Sequence, residues 1–306
     1  VGGLMVLGEH REMFDAIEYA IDSGVNYFDT ARVYGDGLSE IHTGAILREL
    51  GRTDLIVGTK VRVTGNEFDE IASTVSNQID NSLRRLGLDT IDIVYTHNRI
   101  GDERNISSGT FSLEDLSPVV EVFETAVKAG KIKYWGFNGL GETDAIKESL
   151  DRYSPSAIHT CYNLLNPTSG YDLPPSFSYQ NFEQLMNVAS DNGIGTVGIR
   201  ILAGGALSGS VERHPIAQQN VAPISTSNTF QEDVNRTSDF QFLITEGFVE
   251  NFVEASVRFA ISNNNLDTAL IGLSNFDQLK QAIQYVDRGP LSQEAIDKIS
   301  NTWTRK

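Results

Sequence analysis

Short apolar runs alternate with longer amphipathic ones along the chain. The strand-like runs are Val25–Asp29, Leu55–Thr59, Ile91–Thr96, Tyr134–Phe137, Ala157–Cys161, Thr196–Ile201 and Thr268–Ile271. They are brief and rich in β-branched and aromatic residues. Most are continuously apolar, as parallel strands are when both faces are covered. Between them the period changes. Phe68, Ile71, Val75, Ile79, Leu83 and Leu86 are spaced by 3, 4, 4, 4 and 3 and form one helical stripe. Val119, Val120, Phe123 and Val127 repeat the pattern, and Gly130 stands where a left-handed cap ends a helix. Further helices are predicted to begin near Arg11, Ser39, Thr143, Asn181, Phe248 and Asn275.

Strand followed by helix, repeated, predicts an α/β architecture with a parallel sheet and right-handed crossovers. One strand more than the seven runs would complete a (β/α)8 TIM barrel. An open seven-stranded sheet is the competing topology. Val1-Gly2-Gly3-Leu4 reads as the loop after a strand, so the first barrel strand is expected to be missing from these residues. No internal repeat or linker interrupts the pattern, and residues 1–306 are read as a single domain. Three connections are long: Asn98–Ser112, Asn163–Ser178 and Ala203–Asp239. Loops after barrel strands carry binding sites, so substrate selection is expected there. The stretch around Gln218–Thr237 reads as a mobile lid or a disordered segment.

Charge narrows the choice of partner. The 41 acidic and 24 basic residues leave a net charge of −17. Such a surface repels phosphate backbones and anionic lipid, so a small-molecule substrate is expected, with no nucleic acid and no membrane partner. Hydrophobic residues make up 40%, which excludes wholesale disorder. The lone Cys161 closes no intrachain disulfide and builds no thiolate metal site. A reducing, cytoplasmic setting and no metal are expected. The N-terminus shows no signal-peptide pattern.

Candidate chemistry lies at the strand ends. The second-strand run ends in Asp29, with Tyr34 following; the third ends at Lys60 and the fourth at His97. In a parallel barrel these C-terminal ends converge. A partly dehydrated ammonium prefers an anion beside it, and Asp29 supplies one. A cation next to a phenol favours the phenolate, so Tyr34 is expected to titrate below its ordinary value. His97 can hydrogen-bond a substrate oxygen. A tyrosine tuned by a lysine can give a proton to an alkoxide or take one from an alcohol, which suits carbonyl–alcohol interconversion. Each residue alone also fits a plain structural role as a helix cap, surface ion pair, loop packer or buried imidazole. The four at successive strand ends point to a site.

The segments Gly24-Val25-Asn26-Tyr27-Phe28-Asp29-Thr30-Ala31, Tyr34-Gly35, Thr59-Lys60 and Leu86-Gly87-Leu88-Asp89-Thr90-Ile91-Asp92 leading to His97 resemble the aldo-keto reductase superfamily. So do Gly130-Lys131-Ile132, Tyr162-Asn163-Leu164-Leu165-Asn166 and Gly205-Ala206-Leu207-Ser208-Gly209. The resemblance implies a (β/α)8 barrel that binds a nicotinamide dinucleotide without a Rossmann domain. It implies Asp29, Tyr34, Lys60 and His97 as the catalytic tetrad, with Tyr34 as general acid or base.

The cofactor positions depart from the common pattern. Asn138 and Gly139 stand where many relatives have Ser-Asn, His159 replaces a glutamine, and Arg200 with Leu202 occupies the region of a stacking aromatic. Arg200 would either cover the ring or pair with a phosphate or an acid. Gly272, Ser274, Asn275 and Gln278 match the adenosine-phosphate segment, whose plain alternative is a helix cap. That segment has no basic residue and contains Asp277, so NAD is preferred, with NADP as the alternative. The variant motifs are similar to a branch of NAD-linked aldose, L-galactose and pyridoxal dehydrogenases. The competing functions are a Schiff-base barrel lyase using Lys60 and a non-catalytic cofactor-sensing subunit.

Overall fold

The computed structural model describes residues 3–304, so Val1 and Gly2 of the expected opening loop lie outside the described residues. Leu4 does not belong to a loop. It opens a one-turn helix, Leu4–Leu7, closed by the Gly8 amide donating to the Leu4 carbonyl at 2.8 Å. The run Leu-Met-Val-Leu turns because the turn buries Leu4. Among the described residues no strand precedes Tyr27.

The chain divides into two compact units, Gly3–His159 and Thr160–Lys306. In chain order the strands are β1 Tyr27–Asp29, β2 Ile56–Val61, β3 Ile91–Thr96, β4 Arg99–Ile100, β5 Thr110–Phe111, β6 Ile132–Gly139, β7 Ala157–Cys161, β8 Gly195–Ile199 and β9 Thr268–Ala269. All seven expected strands form. β6 extends further than the sequence pattern suggests at both ends, and β9 shrinks to two residues. The pair β4–β5 was not expected; it is a short parallel ladder inside the Asn98–Ser112 connection.

In the first unit the sheet order is β1-β2-β3-β6. β1 runs parallel to β2 with Asp29 opposite Gly58, and β2 runs parallel to β3 with Lys60 opposite Tyr95. Gly136 on β6 is required by close approach. A Cβ there would lie 2.3 Å from the Ala157 carbonyl oxygen and 2.6 Å from the Tyr95 ring. The helix Ile71–Leu86 buries Ile71, Val75, Ile79 and Leu86 as its stripe predicts, and Gly87 ends it in the left-handed region. The helix Leu113–Lys128 starts at a capping box in which Ser112 and Asp115 satisfy each other's amides.

The second unit holds β8 parallel to β9, with Val197 opposite Thr268. Its core centres on aromatic rings: Tyr162 stacks on Phe259 at 4.9 Å and Tyr171 meets Trp303 at 5.1 Å. The stretch expected to be a lid or disordered contains a helix, Phe230–Thr237, opened by a Thr229–Glu232 capping box. Asp233 on that helix is buried and accepts from Thr226 and Ser227, both at 2.6 Å. Those bonds fold the polar segment back on itself.

Candidate active site

β1 and β2 place Asp29 and Lys60 side by side. The Lys60 ammonium donates to Asp29 Oδ2 at 2.5 Å and to the Thr30 carbonyl at 2.8 Å. Both side chains are nearly sealed from solvent, at 3% exposure for Lys60 and 10% for Asp29. Burial disfavours either charge alone, and each supplies the other's counter-ion. For Asp29, burial works upward on the pKa, but Lys60 and then His159 outweigh it and hold the carboxyl low. For Lys60, burial works downward, and Asp29 and then Tyr34 outweigh it and hold the ammonium high.

Tyr34 and His97 join that pair. The Lys60 ammonium lies 4.9 Å from the centre of the Tyr34 ring, and Tyr34 meets His97 edge-on with centroids 5.8 Å apart. The structure therefore brings all four expected groups together. One expectation is corrected. Tyr34 does not titrate low: burial raises its pKa, Lys60 pulls it back without cancelling that rise, and Asp29 adds to it. At neutral pH the phenol is a protonated acid. His97 is pushed down to about 3, first by burial and then by Lys60, so it is a neutral imidazole at ordinary pH. Its Nδ1 is buried with no partner.

His159 sits beneath this group. Its Nε2 is 3.9 Å from Asp29 Oδ1, and neither atom has a hydrogen-bond partner. The imidazole stacks on Tyr95 at 3.9 Å, and the Tyr95 hydroxyl pairs with that of Tyr27 at 2.9 Å. Burial pushes His159 down to about 3, with Asp29 opposing the shift. The only sequence signal for the tyrosine pair is Tyr95 within the β3 run, opposite Lys60.

Asn138 lies at the end of β6, with its Nδ2 donating to the carbonyls of His97 and Asn98, each at 3.3 Å. Its side-chain oxygen remains to accept from an amide ligand. Gly139 leaves no room for a side chain, because a Cβ there would lie 2.3 Å from the His159 carbonyl oxygen. Asn138 and the buried polar atoms without partners, Asp29 Oδ1, His97 Nδ1 and His159 Nε2, make a setting that suits a planar amide-bearing group such as nicotinamide.

In the second unit, Arg200 adopts a left-handed backbone at φ 62°, and its guanidinium donates to the Ala222 carbonyl at 2.9 Å. Its Nε is buried without a partner, and burial lowers its pKa. Leu202 is half-buried, and its carbonyl accepts from Gly205 at 2.7 Å. Gly272 is exposed. Ser274, Asn275 and Gln278 form a helix cap: the Ser274 amide donates to Gln278 Oε1 at 2.8 Å, and the Gln278 amide donates to Asn275 Oδ1 at 2.9 Å. The helix they open, Phe276–Asp287, carries Asp277 in its first turn.

The sequence model described as the Aldo/keto reductase family matches residues 2–304. A protein of Arabidopsis thaliana named L-galactose dehydrogenase is 24% identical over 294 residues, covering 92% of this chain and 81% of the relative. A protein of Oryza sativa subsp. japonica named "Probable voltage-gated potassium channel subunit beta" is 25% identical over 319 residues, covering 97% of this chain and 90% of its own. An aldo-keto reductase from Klebsiella pneumoniae, solved in complex with NADPH, superposes with a TM-score of 0.67 at 20% identity, over 98% of this chain and 87% of that one. The (β/α)8 barrel class expected from the strand–helix alternation is borne out by this likeness and by the family match.

Proposed function

Because the chain belongs to the aldo/keto reductase family, it is an NAD(P)-dependent oxidoreductase, and we propose that it interconverts a small polar carbonyl and the matching alcohol with Tyr34 as the proton-transferring group. The observation that carries this reading is the cluster itself: one ammonium, held by a buried carboxylate, lies beside a protonated phenol and a neutral imidazole. Bound nicotinamide would supply or accept the hydride. His97, being neutral, keeps an N–H to donate to the substrate oxygen without adding a charge. As negative charge develops on that oxygen, Tyr34 delivers its proton. Lys60 stabilises the resulting phenolate, and Asp29 keeps Lys60 charged. In the reverse direction the same groups accept the proton. Asn138 and His159 would hold the carboxamide end of the cofactor.

The substrate class we assign is an aldose or lactol, or pyridoxal. Support comes from the likeness to L-galactose dehydrogenase and from the polar surroundings of Tyr34. NAD is preferred over NADP in this reading. Asp277 is exposed at the start of the helix, and Lys280 is engaged with it at 3.4 Å and lies over the Phe276 ring at 4.0 Å. A 2′-phosphate would meet a carboxylate there.

Assay of the isolated chain with NADH and NADPH against aldoses, pyridoxal and simple aldehydes tests both assignments at the nicotinamide absorbance band. Tyr34→Phe is expected to lower turnover by about 100-fold or more while the cofactor still binds. Near-normal turnover in that variant would remove Tyr34 from its role. No turnover by the wild type, with cofactor bound, would favour a cofactor-sensing subunit.

A further inference from the structure

Arg62 follows Lys60 by two residues at the end of β2, and its backbone is held from both sides by buried amides. On one side its N–H donates to Gln78 Oε1 at 2.9 Å, while Gln78 Nε2 donates to the Arg62 carbonyl at 2.7 Å. On the other, the Val63 N–H donates to Asn98 Oδ1 at 2.9 Å, and Asn98 Nδ2 donates to the carbonyls of Val63 at 2.8 Å and Gly109 at 2.9 Å. Gln78 is 4% exposed and Asn98 1%. The two side chains supply the bonds that a neighbouring strand would have supplied, just where β2 ends.

The side chain so mounted has no counter-ion among the described residues, although the chain carries 41 acidic residues. Its Nε is shielded from solvent and has no acceptor. The guanidinium lies under the tip of the Asn98–Ser112 connection, with Nη2 3.9 Å from where a Gly109 Cβ would be. It is also close enough to His97 to act on that imidazole electrostatically. A buried donor without an acceptor is unfavourable, and a ligand that accepts from it removes that cost. An unpaired guanidinium fork on a fixed backbone near a reacting site matches a planar or tetrahedral oxyanion.

We propose that Arg62 is the anion-recognition group of the substrate site, selecting substrates whose reacting carbonyl or alcohol carbon lies a short chain away from a carboxylate or phosphate. This rests on the reading above that the substrate oxygen sits against Tyr34 and His97. It narrows the small polar substrate to an acidic one.

The test compares matched pairs, glyceraldehyde with glyceraldehyde 3-phosphate and butanal with succinate semialdehyde, in the wild type, Arg62→Met and Arg62→Lys. Isothermal titration with inorganic phosphate and with succinate gives a readout that needs no turnover. The wild type is expected to prefer the anionic member of at least one pair by 10-fold or more in kcat/KM. Arg62→Met should lower that preference by about 10- to 100-fold, mainly through KM, with Arg62→Lys retaining part of it. The pair with the larger change identifies phosphate or carboxylate as the ligand.

Equal use of both members by the wild type, or an unchanged preference in Arg62→Met, overturns the proposal while leaving the redox reaction intact. If no aldehyde is turned over, anion binding by the wild type that is lost in Arg62→Met supports the site and counts against the redox reading. Absence of binding in the wild type overturns the site. If Arg62→Met fails to fold, Arg62→Lys and the loss of anion preference with rising salt carry the same decision.

Discussion

Asp29→Asn removes the carboxylate paired with a sealed ammonium and leaves the side-chain size nearly unchanged. Lys60 keeps its bond to the Thr30 carbonyl at 2.8 Å but loses the one to Asp29 at 2.5 Å. With 3% exposure it cannot recover hydration. Breaking one side of a buried pair costs about 3–5 kcal/mol. For a chain of 306 residues this lowers the melting midpoint by about 5–8 °C.

The pH dependence has a definite sign. In the wild type the folded pKa of Lys60 lies above its unfolded value, so its stabilisation is intact through neutral pH and is lost only as pH rises through that raised pKa. Asp29 is held low, so its share is present above its unfolded pKa and is lost as pH falls through the folded one. In Asp29→Asn, burial dominates and the folded Lys60 pKa drops below its unfolded value. Between that lowered pKa and the unfolded one, the unfolded chain binds more protons, so stability rises with pH. The deficit against the wild type therefore shrinks as pH rises past that lowered pKa toward the unfolded one. Urea denaturation at several pH values reads this directly. The double variant Asp29→Asn/Lys60→Met buries no charge and should recover most of the loss. A deficit under about 1 kcal/mol in the single variant, or a double variant no more stable than the single, would refute the reasoning.

Two further outcomes follow from the same structure. His97 is neutral down to about 3, so the acid limb of kcat/KM should show no ionisation near 6.5, and His97→Gln should lower activity without moving that limb; a limb near 6.5 that vanishes in His97→Gln contradicts the assignment. Gly136→Ala forces a methyl to within 2.3 Å of the Ala157 carbonyl oxygen, so a loss of about 1–3 kcal/mol is expected in the urea midpoint, and a variant as stable as wild type would mean that β6 and β7 can part locally.

The strand ends were legible in the sequence because each is the polar residue that terminates an apolar run. Asp29, Lys60 and His97 stand out for that reason, and their convergence is a property of parallel strands. What escaped depends on neighbours distant in sequence. The direction of the Tyr34 shift is a contest between burial and one lysine, and burial is set by the whole fold. His159 reads as a cofactor ligand from its place in a motif. Its stacking on Tyr95 and its approach to Asp29 appear only in three dimensions. The helix Phe230–Thr237 was available locally, since Thr229 and Glu232 have capping-box spacing, but the polar composition around it masked the signal. Arg62 was available too, two positions after Lys60 in a strand period. Its meaning lies in the absence of a partner, which the sequence does not display.

The hydrogen bonds that Gln78 and Asn98 send to residues 62 and 63 run entirely to peptide groups. The chain's path there is consequently indifferent to which side chain it displays. A saturation library at position 62 should return mostly folded proteins that retain the Asp29–Lys60 pair, differing chiefly in which compounds they accept. Selectivity could then drift between lineages, or be redirected at the bench, through a single codon.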